Sequence, residues 1–138
     1  MFFMEADGMR RMDEKIKSII RIEKETYDIY RLLDSAEFDD KSRDTLRRCA
    51  ADASQNLQIL EEKYSQTKPS LAIYLQHFVP EVEFVGDNVD EKSLLKNMAK
   101  NRKELVTLYS DLSEMDHDPE LCDMFRALAE KISIPSEV

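Results

Sequence analysis

Two charged side chains lie where the helical spacing of the sequence places apolar ones. Glu23 and Arg102 each stand within a series of residues spaced three or four apart, which is the pattern of one buried helix face. The two series are Ile16, Ile19, Glu23, Thr26, Tyr30 and Leu33, and Leu95, Met98, Arg102, Leu105, Tyr109 and Leu112. A carboxylate in a helical core can bind a metal ion, and a guanidinium can bind a carboxylate at two points.

A buried charge without a partner is very costly, so these two side chains are expected to meet. We predict an ion pair between Glu23 and Arg102 in the core, joined by the hydroxyl groups of Tyr30 and Tyr109. The alternative is that one or both charged side chains extend past the apolar core to solvent at its edge.

The other residues with catalytic or metal-binding chemistry form no recognised motif. His77 is expected to pack, and His117 to lie in an acidic helix-capping turn that could bind a divalent ion only weakly. Cys49 is expected to be a small core residue, and Cys122 begins a helix among acidic residues. The sequence contains no Ser-His-Asp spacing, Gly-rich phosphate loop or Cys-x-x-Cys, so no nucleophilic or nucleotide site is predicted.

Helical periodicity marks four stretches that must position the charged pair. Their expected bounds are about 13–34, 40–64, 90–113 and 119–132. The links at about 35–39 and 114–118 are short enough for antiparallel hairpins, whereas the link at 65–89 is long enough to cross the length of a bundle and to include one short helix. The sequence therefore predicts an all-α four-helix bundle forming a single domain over 1–138.

The inner faces of these helices follow from the same periodicity. Ile20 and Tyr27 are expected to widen the buried face of the first helix. The second and fourth helices have inner faces of Leu46, Cys49, Ala50, Ala53, Leu57 and Leu60, and of Cys122, Phe125, Leu128, Ala129 and Ile132. Asp118 followed by Pro119 has the form of a helix start, with an acceptor at the cap and proline in the first turn.

The two predicted hairpins, about 13–64 and 90–134, resemble each other. A shift of 79 residues aligns them without a gap, with ten identical residues in 46 positions between 14–59 and 93–138. Tyr30 meets Tyr109, Ala50 meets Ala129, and Glu23 meets Arg102. Because one hairpin cannot bury its apolar face alone, we expect a duplication whose halves pack around a pseudo-twofold axis.

A duplicated hairpin pair joined by a long crossover resembles the ferritin-like superfamily, and within it the rubrerythrin-like branch. Glu23 stands seven residues before Tyr30, and Cys49-Ala50 and Leu128-Ala129 match the apolar-Ala element of that branch. The resemblance implies a two-metal centre held by one Glu from each of two helices and a Glu-x-x-His from each of the others.

Most of those ligand positions hold residues that cannot bind a metal. Only Glu23 matches, while the others are Arg102, Ala53, Asn56, Ile132 and Pro135. Shifting the register by one residue gives Asp52 and Gln55, or Glu130 and Ser133, which still supply no imidazole. No metal and no cofactor are therefore expected. The alternative is an iron- or manganese-dependent oxidoreductase with a divergent ligand set such as Glu23, Asp52 and Glu104.

Charge and hydropathy limit the partners. A formal net charge of −9 disfavours nucleic acid and anionic membrane surfaces. No apolar run approaches membrane-span length, no signal peptide is recognised, and two cysteines suit a reducing compartment, so we expect a cytoplasmic protein. The apolar stretch Leu71–Val79 is expected to pack on the bundle or to bind a second copy or another protein. The sequence predicts a non-enzymatic structural or protein-interaction module.

Overall fold

The described part of the chain is all-helical. The computed structural model describes residues 2–29, 38–77, 91–116, 118–132 and 134, with side chains from residue 10 onward. Within those ranges five helices and no strand are present: α1 (Phe2–Asp28), α2 (Asp40–Thr67), α3 (Pro69–His77), α4 (Glu91–Met115) and α5 (Pro119–Lys131). The helix bounds agree with the sequence to within three residues for α2, α4 and α5.

The start of α1 differs from the prediction. The helix begins at Phe2, eleven positions before the expected start at Asp13. The segment before Asp13 contains only one breaker, Gly8, among good helix formers, and Met12 extends the buried face one turn beyond Ile16. At its other end α1 stops at Asp28, and the remainder of the predicted helix, including Tyr30 and Leu33, lies outside the described residues.

Two aspartates fix the starts of helices. Asp39 accepts a hydrogen bond from the backbone N–H of Ser42 at the start of α2, with a length of 2.8 Å. Asp118 accepts one from the backbone N–H of Glu120 at 2.9 Å, and Pro119 occupies the first turn of α5. Each carboxylate satisfies an amide that has no partner within its helix.

The long helices pack as antiparallel pairs. α1 packs on α2 and α4 packs on α5, and we call these the first and second helix pairs. Asp13, in the first half of α1, has its Oδ1 3.7 Å from Nζ of Lys68, the residue that follows α2. α1 also packs on α4, where Lys15 binds Asp111 at 3.2 Å and Glu23 binds Arg102. Residue numbers along α1 increase from Lys15 to Glu23, while those of their partners on α4 decrease from Asp111 to Arg102. The two helices therefore run in opposite directions.

Two apolar clusters make the core. The larger cluster includes Met12, Ile16, Ile19, Leu60, Tyr64, Leu105, Leu112, Phe125 and Leu128. The smaller comprises Ile29, Phe38, Leu46, Cys49, Leu94 and Met98. Along α1, α2 and α4, three fully buried polar residues, Glu23, Asn56 and Arg102, lie between these clusters beside the small residues Ala50, Ala53 and Ala99.

A short helix, α3, lies between α2 and α4 in the sequence, where a short helix was expected. Leu71, Ala72 and Leu75 are buried in the larger cluster, so its inner face packs against the long helices. Ile73 on the opposite face is 58% exposed, and Phe78 and Val79 lie outside the described residues. None of the described helices combines the length and apolar character needed to cross a lipid bilayer.

The buried faces follow the predicted periodicity with some corrections. Tyr27, expected to be buried, is 46% exposed, whereas the neighbouring residues Thr26 and Ile29 are buried. Leu57 and Leu95, expected inside, are half-buried at the margins of their helix faces. Several buried residues were not predicted, namely Ile22, Asn56, Tyr64, Leu94, Ala99 and Leu121.

Candidate functional site

Arg102 lies between two carboxylates from the first helix pair. Its Nη1 donates a hydrogen bond to Oε1 of Glu23 at 3.1 Å, and both side chains are 0% exposed. Its Nη2 donates to Oδ2 of Asp52, whose side chain is 15% exposed. The guanidinium of α4 therefore joins α1 and α2 at one point in the core.

Tyr109 and Lys131 add to this centre. Tyr109, about two turns beyond Arg102 on α4, donates its hydroxyl to Oε2 of Glu23 at 3.0 Å. Its ring is stacked on Phe125 of α5, with the centroids 6.3 Å apart, which fixes its direction. Lys131 at the end of α5 lies 3.8 Å from Oδ1 of Asp52 and donates to Gln55 at 2.8 Å. All four long helices thus contribute to one polar cluster.

Glu23 titrates far from its ordinary range. Burial raises the pKa of Glu23 from 4.5 to about 7, although Arg102, Asn56, Tyr109 and Lys131 all favour its charged form. Burial also raises the pKa of Tyr109, and the nearby charge of Glu23 raises it further, so this phenol stays protonated as a hydrogen-bond donor. The cluster is consequently built around a carboxyl group that can gain a proton near neutral pH.

Some buried polar atoms near the cluster lack a hydrogen bond of good geometry. These are Nε of Arg102, both polar atoms of Asn56 and the hydroxyl of Tyr64, judged among the described residues. Asn56 nevertheless lies close enough to Glu23 to help lower its pKa. Burial is the main cause that raises the pKa of Tyr64, so this residue too stays neutral.

The structure brings the two sequence-predicted charged residues together and separates the alternative ligand set. Glu23, Arg102 and Tyr109 meet as expected, and Tyr30 lies outside the described residues. Glu104, proposed with Glu23 and Asp52 as a divergent metal ligand, is exposed on α4. That ligand set is therefore wrong, because Glu104 lies two positions beyond Arg102 and so faces away from the core.

The donor chemistry of the cluster does not suit a metal ion. Both of its carboxylates, Glu23 and Asp52, bind the cationic guanidinium of Arg102, which would repel a metal placed beside them. The other family ligand positions hold the buried residues Ala53, Asn56 and Ile132, while Pro135 lies outside the described residues. Across the described part of the chain, His, Cys, Asp and Glu form no group of three that could hold a metal.

The histidines and cysteines lie elsewhere. His77 is exposed at the end of α3, contrary to the expectation that it packs, and His117 is outside the described residues. Cys49 is buried, and burial raises the pKa of its thiol, which disfavours the reactive thiolate. Cys122 is half-buried and its Sγ donates to the backbone carbonyl of Asp116 at 3.1 Å. Both cysteines are free thiols.

Sequence reasoning missed the roles of Asp52, Asn56 and Lys131 in this cluster. Asn56 lies in the inner series of α2 between Ala53 and Leu60, but a neutral amide has no charge that demands a partner, and Asp52 lies one position outside that series. A usable signal does exist for two of them. The same 79-residue shift that matches Glu23 with Arg102 also matches Asp52 with Lys131, and both matches join opposite charges.

Comparisons with protein-family models, with curated proteins and with solved structures found no match to this chain. The likeness to rubrerythrin-like proteins therefore depends on the chain's own residues.

Proposed function

We propose that this chain is a metal-free, ferritin-like four-helix bundle of two duplicated hairpins joined by a crossover. In this proposal it acts in the cytoplasm as a non-enzymatic structural or protein-interaction module. The observation that carries the proposal is the position of Arg102. Its guanidinium binds Glu23 and Asp52 in the polar layer between the two apolar clusters, where the resemblance implies a two-metal centre.

The charge balance of the cluster supports this view. With both carboxylates ionised, Glu23 and Asp52 are matched by Arg102 and Lys131, so the cluster is neutral without an added cation. A divalent ion would raise the positive charge in a buried place and would compete with a guanidinium that cannot be deprotonated. The cluster therefore serves to join four helices rather than to bind a reactive metal.

Elemental analysis tests the metal-free part of the proposal. The protein is expressed with added iron and manganese and purified without a chelator. We expect less than about 0.1 metal ion per chain, since the carboxylates are already neutralised. About one to two iron or manganese ions per chain would instead favour the alternative, a rubrerythrin-like oxidoreductase, and oxygen or peroxide turnover would then be assayed.

The outer face of α3 is the proposed contact for a second copy or another protein. Its inner residues Leu71 and Leu75 are buried, which leaves Ile73 as the exposed apolar side chain of this helix. Ile73→Glu should reduce any association without loss of helicity, and Ile59→Glu on α2 is the matched control. The mass in solution, measured by light scattering for both variants, shows whether the contact uses α3. If Ile73→Glu has the same mass in solution as the wild type, the outer face of α3 does not form a homodimer contact.

A further inference from the structure

Two ion pairs between the helix pairs share one sequence separation. Glu23 binds Arg102 and Asp52 lies 3.8 Å from Lys131, and each pair joins residues 79 positions apart. The sequence aligns with itself at this same shift. Each of these side chains therefore faces its counterpart in the other half of the repeat.

The charges are divided between the two halves. Among the charged side chains of the cluster, the first helix pair contributes the acids, Glu23 and Asp52, and the second contributes the bases, Arg102 and Lys131. A third contact crosses between the two ion pairs, because Arg102 also binds Asp52. Each acid of the first helix pair is thus within reach of a base from the second.

We propose that these four side chains act as a pairing signal by which the first helix pair binds the second and rejects a copy of itself. If two first helix pairs met with the same geometry, Glu23 would face Glu23 and Asp52 would face Asp52, with no cation among them. Two second helix pairs would likewise oppose two guanidinium groups and two ammonium groups.

The burial of the inner pair gives this signal its strength. Glu23 and Arg102 are 0% exposed, so solvent and salt screen them far less than surface charges. Two halves that share a core pattern would otherwise fit each other and themselves nearly alike. Placing unlike charges in the shared interface penalises the wrong partner, which is how buried and flanking charges specify pairing in other helical assemblies.

Charge reversal in the full-length chain tests the signal, at about pH 8, where Glu23 is ionised in the wild type. Reversing one half with Arg102→Glu and Lys131→Asp makes all four positions acidic, and Glu23→Arg with Asp52→Lys makes all four basic. We expect each double variant to lower the melting temperature by about 10 °C or more. Combining all four substitutions restores opposite charges and should recover at least about half of that loss.

A surface pair supplies the matched control. Asp123 and Arg126 form an exposed pair on α5, and exchanging them with Asp123→Arg and Arg126→Glu should leave the melting temperature unchanged. The proposal is overturned if the fourfold variant is no more stable than the two double variants, because the charges would then act without regard to their partners. This comparison remains decisive even when neither double variant folds.

Mixing the two double variants tests partner choice directly. The all-basic and all-acidic chains are unfolded together, refolded, and measured by light scattering and circular dichroism. The pairing signal predicts a two-chain species with recovered helicity, because each helix pair finds its opposite only on the other chain. The absence of any two-chain species beyond what each variant forms alone overturns the claim that the charges select the partner.

Discussion

The stability of the cluster depends more on Arg102 than on either of the carboxylates that it binds. Among the residues that the structure describes, Arg102 is the one cation bound to both Glu23 and Asp52, and it lies fully buried on α4. Removing it leaves one buried carboxylate and one largely buried carboxylate, whereas removing Glu23 leaves Arg102 still bound to Asp52. The two deletions are therefore unequal although they break the same ion pair.

Leucine substitutions should reveal this inequality. We expect Arg102→Leu to lower the free energy of unfolding by about 3–5 kcal/mol, and Glu23→Leu to lower it by less. The double variant should lie near the wild type or above it, because an apolar pair of similar size carries no desolvation cost. Urea unfolding at about pH 8, where Glu23 is ionised in the wild type, gives all four values. Two silent single variants would contradict a buried, mutually dependent pair.

Glu23 should make stability fall as pH rises through the neutral range. Its pKa is about 7 in the folded state and 4.5 as the ordinary value, so between these limits the folded protein binds a proton that the unfolded chain has released. The stabilisation that this bound proton provides is fully present below pH 4.5, and it is lost as the pH rises through 7. The loss amounts to about 3 kcal/mol.

Glu23→Gln is the control that isolates this effect. Glutamine keeps the shape of the side chain but does not titrate, so the contribution of every other group cancels in the difference between the two proteins. We expect the wild type to lose stability relative to the variant as pH rises from 4.5 to 8 in urea titrations. A constant difference across that range would mean that Arg102 keeps Glu23 ionised despite its burial.

The sequence predicted the inner pair of the site but not its outer half. Glu23 and Arg102 were detectable because each is a charged residue within an apolar periodic series. A charge at such a buried position must be paired with an opposite charge. Asp52 and Lys131 lie one position outside such series, and at that angle a side chain can face a neighbour or the solvent with equal ease. Only the packing of α2 against α4 and α5 determines which of these occurs.

At the scale of the helices, the termini are set by local chemistry. The Asp118 carboxylate accepts from the backbone N–H of Glu120, and Pro119 follows it with a backbone angle already suited to a helix. These contacts depend on neighbouring residues alone, which is why the start of α5 could be predicted from the sequence.

Asp118→Ala should weaken α5 measurably. Loss of the cap leaves an amide at the start of α5 without a protein acceptor, which should lower the free energy of unfolding by about 1 kcal/mol. Asp123→Ala, on the exposed face of the same helix, removes a carboxylate but no cap and should leave stability unchanged. Thermal melts of both variants compare the two carboxylates. An equal loss in both would assign the effect to charge rather than to capping.

Helix faces were predicted less well at their ends and margins. Tyr27 shares the spacing of Ile20, yet α1 ends one residue later and the ring is left exposed. The early start at Phe2 was missed because a helix can extend beyond its apolar series when its residues favour helix and its neighbours allow it. Both differences concern where α1 begins and ends, which the spacing of its apolar residues does not encode.

For the molecule as a whole, the excess of acids opposes folding through repulsion. The net charge is −9, and several of the described ion pairs, such as Lys15–Asp111 and Lys63–Glu120, lie at the surface. Surface pairs contribute about 0–1 kcal/mol each and are screened by salt, and the general repulsion of like charges is screened too. The buried cluster around Arg102 is affected least, because no solvent reaches its centre.

Salt should therefore stabilise this protein at neutral pH. Raising sodium chloride from about 0.05 to about 0.5 M shortens the Debye length from roughly 14 to roughly 4 Å, which removes long-range repulsion before it removes contacts at 3–4 Å. We expect the melting temperature to rise at pH 7 but to change little near the sequence pI of 4.8, where the net charge approaches zero. An equal rise at both pH values would point to exclusion of salt from apolar surface instead of to screening. A fall at pH 7 would mean that the surface ion pairs outweigh the repulsion produced by the surplus of acidic residues.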